Sequence, residues 1–238
     1  MGKTEAIVFS SKRKKHLISN FEINCQNHKI VASPEVKYLG LKLDQTLSGE
    51  TTVNSIVKKC SSRLNFMYRH QAVLTKNTRK LLSSAIILCH FDYGITSWYM
   101  GLTKKLKQNL QVAQNKTVRF ISNMGPRTHI GQQELNALGL LCVEDRAKQL
   151  SLNHMYNIFN NCAPLYLCNL FTRIGHVYNT RHSENNFVLP SAKGISSSNF
   201  SFQGVKIWND LPNYIKLSQN KDVFKKRVKN HLSQNSNM

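Results

Sequence analysis

Acidic residues are scarce in this sequence. Its 238 residues hold 12 Asp+Glu against 33 Lys+Arg, which gives a formal net charge of +21. Such an imbalance makes the compact state repel itself and attracts polyanions. Nucleic acid is the usual partner of so basic a domain, with an anionic membrane surface as the competitor. Other absences narrow the field further. No Cys-x-x-Cys pair occurs among the six scattered cysteines, Cys25, Cys60, Cys89, Cys142, Cys162 and Cys168, so neither a disulfide framework nor a short-spaced zinc site is expected. Cys60 and Cys89 fall on apolar helix faces and read as buried thiols. No apolar run is long enough to span a bilayer, and none at the N-terminus reads as a signal peptide. Myristoylation at Met1-Gly2 is disfavoured by Ala6, where Ser or Thr is required. The expected compartment is therefore reducing, nuclear or cytoplasmic, with no membrane partner. No glycine-rich loop cradles a phosphate, no Ser-His-Asp or Cys-His spacing supports a nucleophile, and no internal repeat is evident.

Core material is ample. Hydrophobic residues make up 41% of the chain, including two Trp, eight Tyr and eleven Phe. The chain is long enough for one or two domains. Its beginning reads as strands and turns. Glu5–Phe9 is a short strand. Lys12-Arg13-Lys14-Lys15 is a basic turn, either a solvated loop, a localisation cluster or a phosphate contact. Phe21–Cys25 and Lys29–Val31 alternate as strands do. Val36–Asp44 reads as a short strand with Gly40 at its centre.

From Thr51 the pattern turns helical. Val53, Ile56, Val57, Cys60, Leu64 and Met67 recur at three and four, an amphipathic stripe over 51–71. A helix over 76–92, with Thr75 as candidate N-cap, is nearly all apolar (Leu81, Leu82, Ala85, Ile86, Ile87, Cys89) and is expected to be central. Trp98 follows in a loop or short turn. A third helix, from Thr103 to Ser122, buries Leu106, Leu110, Ala113, Thr117, Phe120 and Ile121. Gly125-Pro126 is the best boundary. Beyond it come short helices at Ile130–Leu138 and after Pro164, longer ones at Val143–Phe159 and Lys221–Leu232, and a linker or loop over 173–199. Phe202, Ile207, Trp208 and Leu211 read as structural anchors. The fold class is mainly α with a small N-terminal antiparallel β hairpin or sheet (α+β), the helices forming a central bundle and a C-terminal helical domain.

The charge is uneven. Residues 1–45 carry +4, residues 46–125 carry +10 and residues 126–238 carry +7. The cations of the central block, Lys58, Lys59, Arg63, Arg69, Lys76, Arg79, Lys80, Lys104, Lys105, Lys107, Lys116 and Arg119, are the candidate nucleic-acid contacts. Cys162, Cys168, His176 and His182 are potential zinc ligands, but cysteines six apart are poorly spaced for that metal. His90 and Asp92 read as packing or capping a helix end near Trp98.

Several phrases, taken in order, resemble the C-terminal half of the reverse transcriptase of LINE-type, Jockey-like non-LTR retrotransposons. They are Lys3-Thr4-Glu5 with Ile7-Val8-Phe9, Tyr38-Leu39-Gly40 with Asp44, and His90-Phe91-Asp92-Tyr93 with Trp98. Leu110-Gln111, Gln114-Asn115 and Arg119-Phe120-Ile121 follow. Pro164-Leu165-Tyr166-Leu167, Thr180-Arg181-His182-Ser183, Ser201-Phe202, Trp208-Asn209-Asp210-Leu211-Pro212 and Phe224-Lys225-Lys226 complete the set. Each phrase is weak alone; order and spacing across about 230 residues carry the resemblance. It implies a palm remnant over 1–45, a basic helical thumb over 46–125 and a C-terminal helical domain over 126–238. Tyr38, Leu39 and Gly40, with Asp44, would form the primer-grip hairpin, and RNA or an RNA–DNA duplex would be the partner, alongside upstream polymerase domains. The family polymerises with palm carboxylates, including an Asp-Asp box, that hold two divalent metals. This sequence has no Asp-Asp pair, and its acids before Gly40 are Glu5, Glu22 and Glu35. Magnesium is therefore expected only in a full-length polymerase, and this chain is expected to be inactive alone. A non-enzymatic nucleic-acid or protein interaction module, or a decayed element without selected function, is the alternative.

Overall fold

The computed structural model describes residues 4–18, 21–25, 28–175 and 183–235. Lys3, His176 and Thr180–His182 of the motifs above lie outside the described residues. The architecture is mainly α with a small N-terminal antiparallel β part, as the sequence implies. Strands β1 (Glu22–Cys25) and β2 (His28–Val31) form one antiparallel hairpin, and β3 (Glu35–Tyr38) and β4 (Leu41–Asp44) a second. The strand expected at Glu5–Phe9 reduces to a single bridge, Ala6 to Ala32. The basic turn of Lys12 to Lys15 begins a 3₁₀ helix, Lys12–Ile18.

Val36–Asp44 is not one strand but the heart of the second hairpin. The chain reverses at Leu39-Gly40, and Lys37 pairs with Lys42 and Tyr38 with Leu41. Both turn residues have positive φ, 47° and 83°, as a two-residue turn between right-twisted strands requires. Glycine takes such a φ freely, whereas leucine pays about 1–2 kcal/mol for it. Tertiary contacts hold the strained residue: the Tyr93 hydroxyl donates to the Leu39 carbonyl at 2.6 Å. Replacing Leu39, whose side chain is largely exposed, by Asn should relieve part of that cost. The thermal midpoint should rise by about 2–4 °C; a melting curve that moves down would show that the leucine side chain matters more than its backbone.

The hairpin is clasped to the helices at its other end. Asp44 accepts from the amide and hydroxyl of Thr46 and from the amide and hydroxyl of Ser48. Partial burial pushes its carboxyl up, but these four donors together hold it below the ordinary aspartate value of 3.8. A depressed folded value means that the stabilisation is fully present above 3.8 and is lost as pH falls through the lower, folded value. The gap in thermal midpoint between wild type and Asp44→Asn should thus be widest near neutrality and close under acid. A gap that persists unchanged at about pH 2 would contradict this linkage.

Helix α1 (Glu50–Tyr68) buries Val53, Ile56, Cys60, Leu64 and Met67, the stripe its spacing implies. Helix α2 (Lys76–Ser83) starts at Thr75, whose hydroxyl accepts from the Thr78 amide. It runs on through a π-helical turn, Ser84–Leu88, into the short α3 (Cys89–Asp92). This segment is not central as expected. Leu81 is 70% exposed, and Ile86 and Cys89 also face outward. Apolar residues surround the helix, so composition gives no facing, and the π turn rotates everything after Ser83 against the preceding turn. Only Ile87 and Phe91 of its apolar residues enter the core, and with them the unexpected Arg79, buried, with Nε donating to the Ile121 carbonyl. Trp98 ends the short α4 (Ile95–Trp98). Helix α5 (Lys104–Ser122), capped by Thr103, packs its predicted face on α1. Helix α6 (Gln132–Ala137) follows the Gly125-Pro126 break, and Ile130, Leu135 and Leu138 return to the same apolar cluster.

Helix α7 (Val143–Phe159) touches two clusters. Val143 and Ala147 belong to the first; Leu152, Met155, Tyr156 and Ile158 belong to a second. Arg146 on α7 makes a two-pronged ion pair with Asp92 at the end of α3, at 2.9 and 2.7 Å. Asp92 thus has a partner 54 residues away rather than a capping role. The second cluster is completed by α8 (Leu165–Cys168), α9 (Phe200–Asn209), α10 (Asn213–Lys216) and α11 (Lys221–Asn235). Gly204 lets α9 lie close to α7, since a Cβ there would meet Met155 Sδ at 3.1 Å. The expected linker is anchored: Phe187 is 2% exposed, and its amide and carbonyl both bond the Asn209 side chain. The segment bridges Arg173 antiparallel through Asn186 and Val188, and the Asn209 amide satisfies the Phe187 backbone that this bridge leaves open, which no local pattern announces.

Candidate nucleic-acid interface

The β3–β4 hairpin lies against the first turns of α1. Thr51 and Thr52 hydroxyls both donate to the Lys42 carbonyl, and Gly40 lies against the Tyr93 ring. This docking creates a cleft on each side. On one, Tyr38, Leu39, Leu41 and Leu43 join Leu47, Trp98 and Ser198 around a mostly apolar space of about 460 Å³. On the other, a groove of about 680 Å³ is lined by Glu35, Lys42, Thr51, Asn54, Ser55, Lys58, Lys59, Ser62 and Arg63. Four cations face one carboxylate there. Glu35 pairs with Lys42 at 2.7 Å, and Lys58 and Lys59 stand exposed about two helical turns beyond Thr51 and Thr52, which hold the hairpin. Lys42 was not among the candidate cations; it becomes one only through the hairpin register that sets it over α1.

His90 lies under this groove. It lines a small cavity with Gly40, Lys42, Ser55, Lys59 and Tyr93, and its Nε2 is buried without a hydrogen-bond partner. Burial first, then the nearby charges of Arg63 and Lys59, hold its pKa below the ordinary histidine value of 6.5. Burial and, to a lesser degree, the groove cations Arg63 and Lys59 thus both disfavour the charged imidazolium.

The twelve candidate cations do not form one surface. Lys58, Lys59 and Arg63 come together. Arg69, Lys76, Lys80, Lys104, Lys105 and Lys116 are exposed but do not line the groove. The others are engaged structurally. Arg119 Nε donates to the Thr128 carbonyl, and the Lys107 ammonium lies 5.0 Å from the Tyr99 ring centre, while Arg63, though in the groove, also donates its Nη1 to the Ile86 carbonyl. Arg79 is a strut inside the bundle rather than a surface contact. A guanidinium can tie two segments together through backbone carbonyls, and sequence counts it like any other charge.

Cys60 is buried and burial pushes its thiol up to about 12, the mark of an inert core cysteine. Cys89, expected beside it in the core, is exposed and donates to the Ala85 carbonyl. Cys162 and Cys168 each donate to a nearby backbone carbonyl, of Asn160 and Ala163. Among the described residues no group of three or more His, Cys, Asp or Glu could hold a metal, and no helix is long and apolar enough to cross a membrane. Compared with family models, with curated proteins and with solved structures, the chain finds no match.

Proposed function

We propose that this chain is a nucleic-acid-binding portion of a LINE-type retrotransposon RNA-directed DNA polymerase, acting in the nucleus or cytoplasm. It grips RNA or an RNA–DNA duplex between the β3–β4 hairpin and α1. The carrying observation is the groove beside the hairpin, where Lys42, Lys58, Lys59 and Arg63 face only Glu35. Lysines on one helix face track a phosphate backbone and carry no base readout, so binding is sequence-independent and salt-sensitive. The motif-bearing Tyr38, Leu39 and Gly40 form the tip beside which the strand runs. Polymerisation itself belongs to paired palm carboxylates and magnesium in upstream polymerase domains, since the sequence carries no Asp-Asp pair.

Gel shifts with RNA duplex and RNA–DNA hybrid test this reading. Affinity should fall steeply as salt rises and vary little with sequence. Binding indifferent to salt, or no binding at all, would sink it. With magnesium, dNTPs and a primed template, the isolated chain should add no nucleotide; incorporation would overturn the division of labour.

A further inference from the structure

The basic groove does not end at Arg63. Ser62 and Arg63 also form the wall of a second pocket, of about 370 Å³, completed by Phe66, Met67, His70, Leu74, Leu82 and Ile86. The volume lies within the range of about 300–1,000 Å³ typical of small-molecule sites. No acidic side chain lines it. Phe66 is 63% exposed at its mouth, with its ring centre 5.2 Å from that of His70. Arg63 stands at the junction, its guanidinium fixed to the Ile86 carbonyl across the pocket. Two features of single-strand binding are thus contiguous: a cationic track for phosphates, and an aromatic platform one helical turn farther along α1.

We propose that this pocket takes the unpaired bases of a single-stranded nucleic acid, RNA or DNA, whose backbone runs along Lys58, Lys59 and Arg63. Phe66 supplies the stacking face and His70 flanks it. A stacked base needs an open aromatic face and a neighbouring cation for its phosphate, and Phe66 beside Arg63 offers both. An apolar protein segment would cover Phe66 equally well but leave the cationic rim without a counter-charge, which makes the polyanion the better complement.

The proposal rests on the nucleic-acid reading above, and the test separates the two. Fluorescence anisotropy on the full chain uses three labelled ligands: an oligouridylate, a blunt RNA duplex and an abasic sugar–phosphate strand of equal length. Phe66→Ala should weaken oligouridylate binding at least about fivefold and leave duplex and abasic strand unchanged. Phe66→Trp should restore the oligouridylate affinity. The Lys58→Ala/Lys59→Ala variant should weaken all three. If the wild type binds all three and Phe66→Ala changes none, or all equally, the stacking site is wrong and the groove stands. If the wild type binds nothing, both fall. Self-association in sedimentation that Phe66→Ala abolishes, with oligouridylate affinity intact, would assign the pocket to a second copy of the chain and overturn the proposal. Because Phe66 is mostly exposed, the substitution should leave the circular dichroism spectrum unchanged.

Discussion

Replacing Trp208 by Ala should unfold the C-terminal half of the bundle well before the rest. The indole is fully buried, with ring centres of Phe159, Phe224 and Phe187 at 5.1, 6.0 and 6.1 Å. Its Nε1 donates to the Asn185 carbonyl at 2.9 Å, which ties the 183–199 segment to α9. Truncating a large aromatic in such a position costs about 3–5 kcal/mol, because the surrounding rings cannot collapse into the space. The Asn185 carbonyl also loses its donor. Against a typical total of about 5–15 kcal/mol the loss is severe, equivalent to a fall of about 6–20 °C in the thermal midpoint. The chain has two tryptophans, and Trp98 packs against the first cluster. In Trp208→Ala the remaining tryptophan fluorescence therefore reports the first cluster alone. It should shift at a higher temperature than the loss of total helical signal. A midpoint within about 2 °C of wild type would show that Trp208 is not the keystone its packing implies.

The parts of this fold that sequence reveals are those written in local periodicity. The stripes of α1 and α5 and the bounds of α7 follow from three-and-four spacing, and the start of α2 from its cap Thr75. What it conceals is decided by distant partners. The outward face of α2 depends on a π turn and on Arg79 reaching the Ile121 carbonyl. The ordering of 183–199 depends on Asn209, and the role of Asp92 on Arg146. The hairpin at Leu39-Gly40 is implied by the resemblance but not by local pattern. Its turn lacks the Asn-Gly pair that usually announces such a reversal, and the Tyr93 hydroxyl supplies from outside what the turn lacks within. The candidate site was legible as a charge density, not as a surface. Sequence offered twelve cations; packing brings Lys58, Lys59 and Arg63 together with Lys42 in one groove and buries Arg79 between helices.

That selection yields the second large effect. If Lys42, Lys58, Lys59 and Arg63 each neutralise one phosphate of a duplex, log affinity should fall against log salt with a slope of about −3.6. Between about 50 and 200 mM salt the affinity then drops roughly a hundredfold. Removing Lys58 and Lys59 together, as alanines, should bring the slope to about −1.8, since each lost phosphate contact removes about one unit. The decisive comparison is with Lys104→Ala/Lys105→Ala at the start of α5, two exposed lysines that do not line the groove. Both double variants lower the net charge of +21 by two, so the general field of the molecule changes equally. Long-range steering is therefore the same in both, and within about a Debye length only the local contacts differ. The α1 pair should lose slope and affinity while the α5 pair stays close to wild type. Equal losses would mean that nucleic acid is held by diffuse charge rather than by the groove beside the hairpin. Arg79→Ala supplies the opposite control: it removes a cation counted with the others, yet it should lower the thermal midpoint, because the guanidinium it deletes is a buried link between α2 and α5.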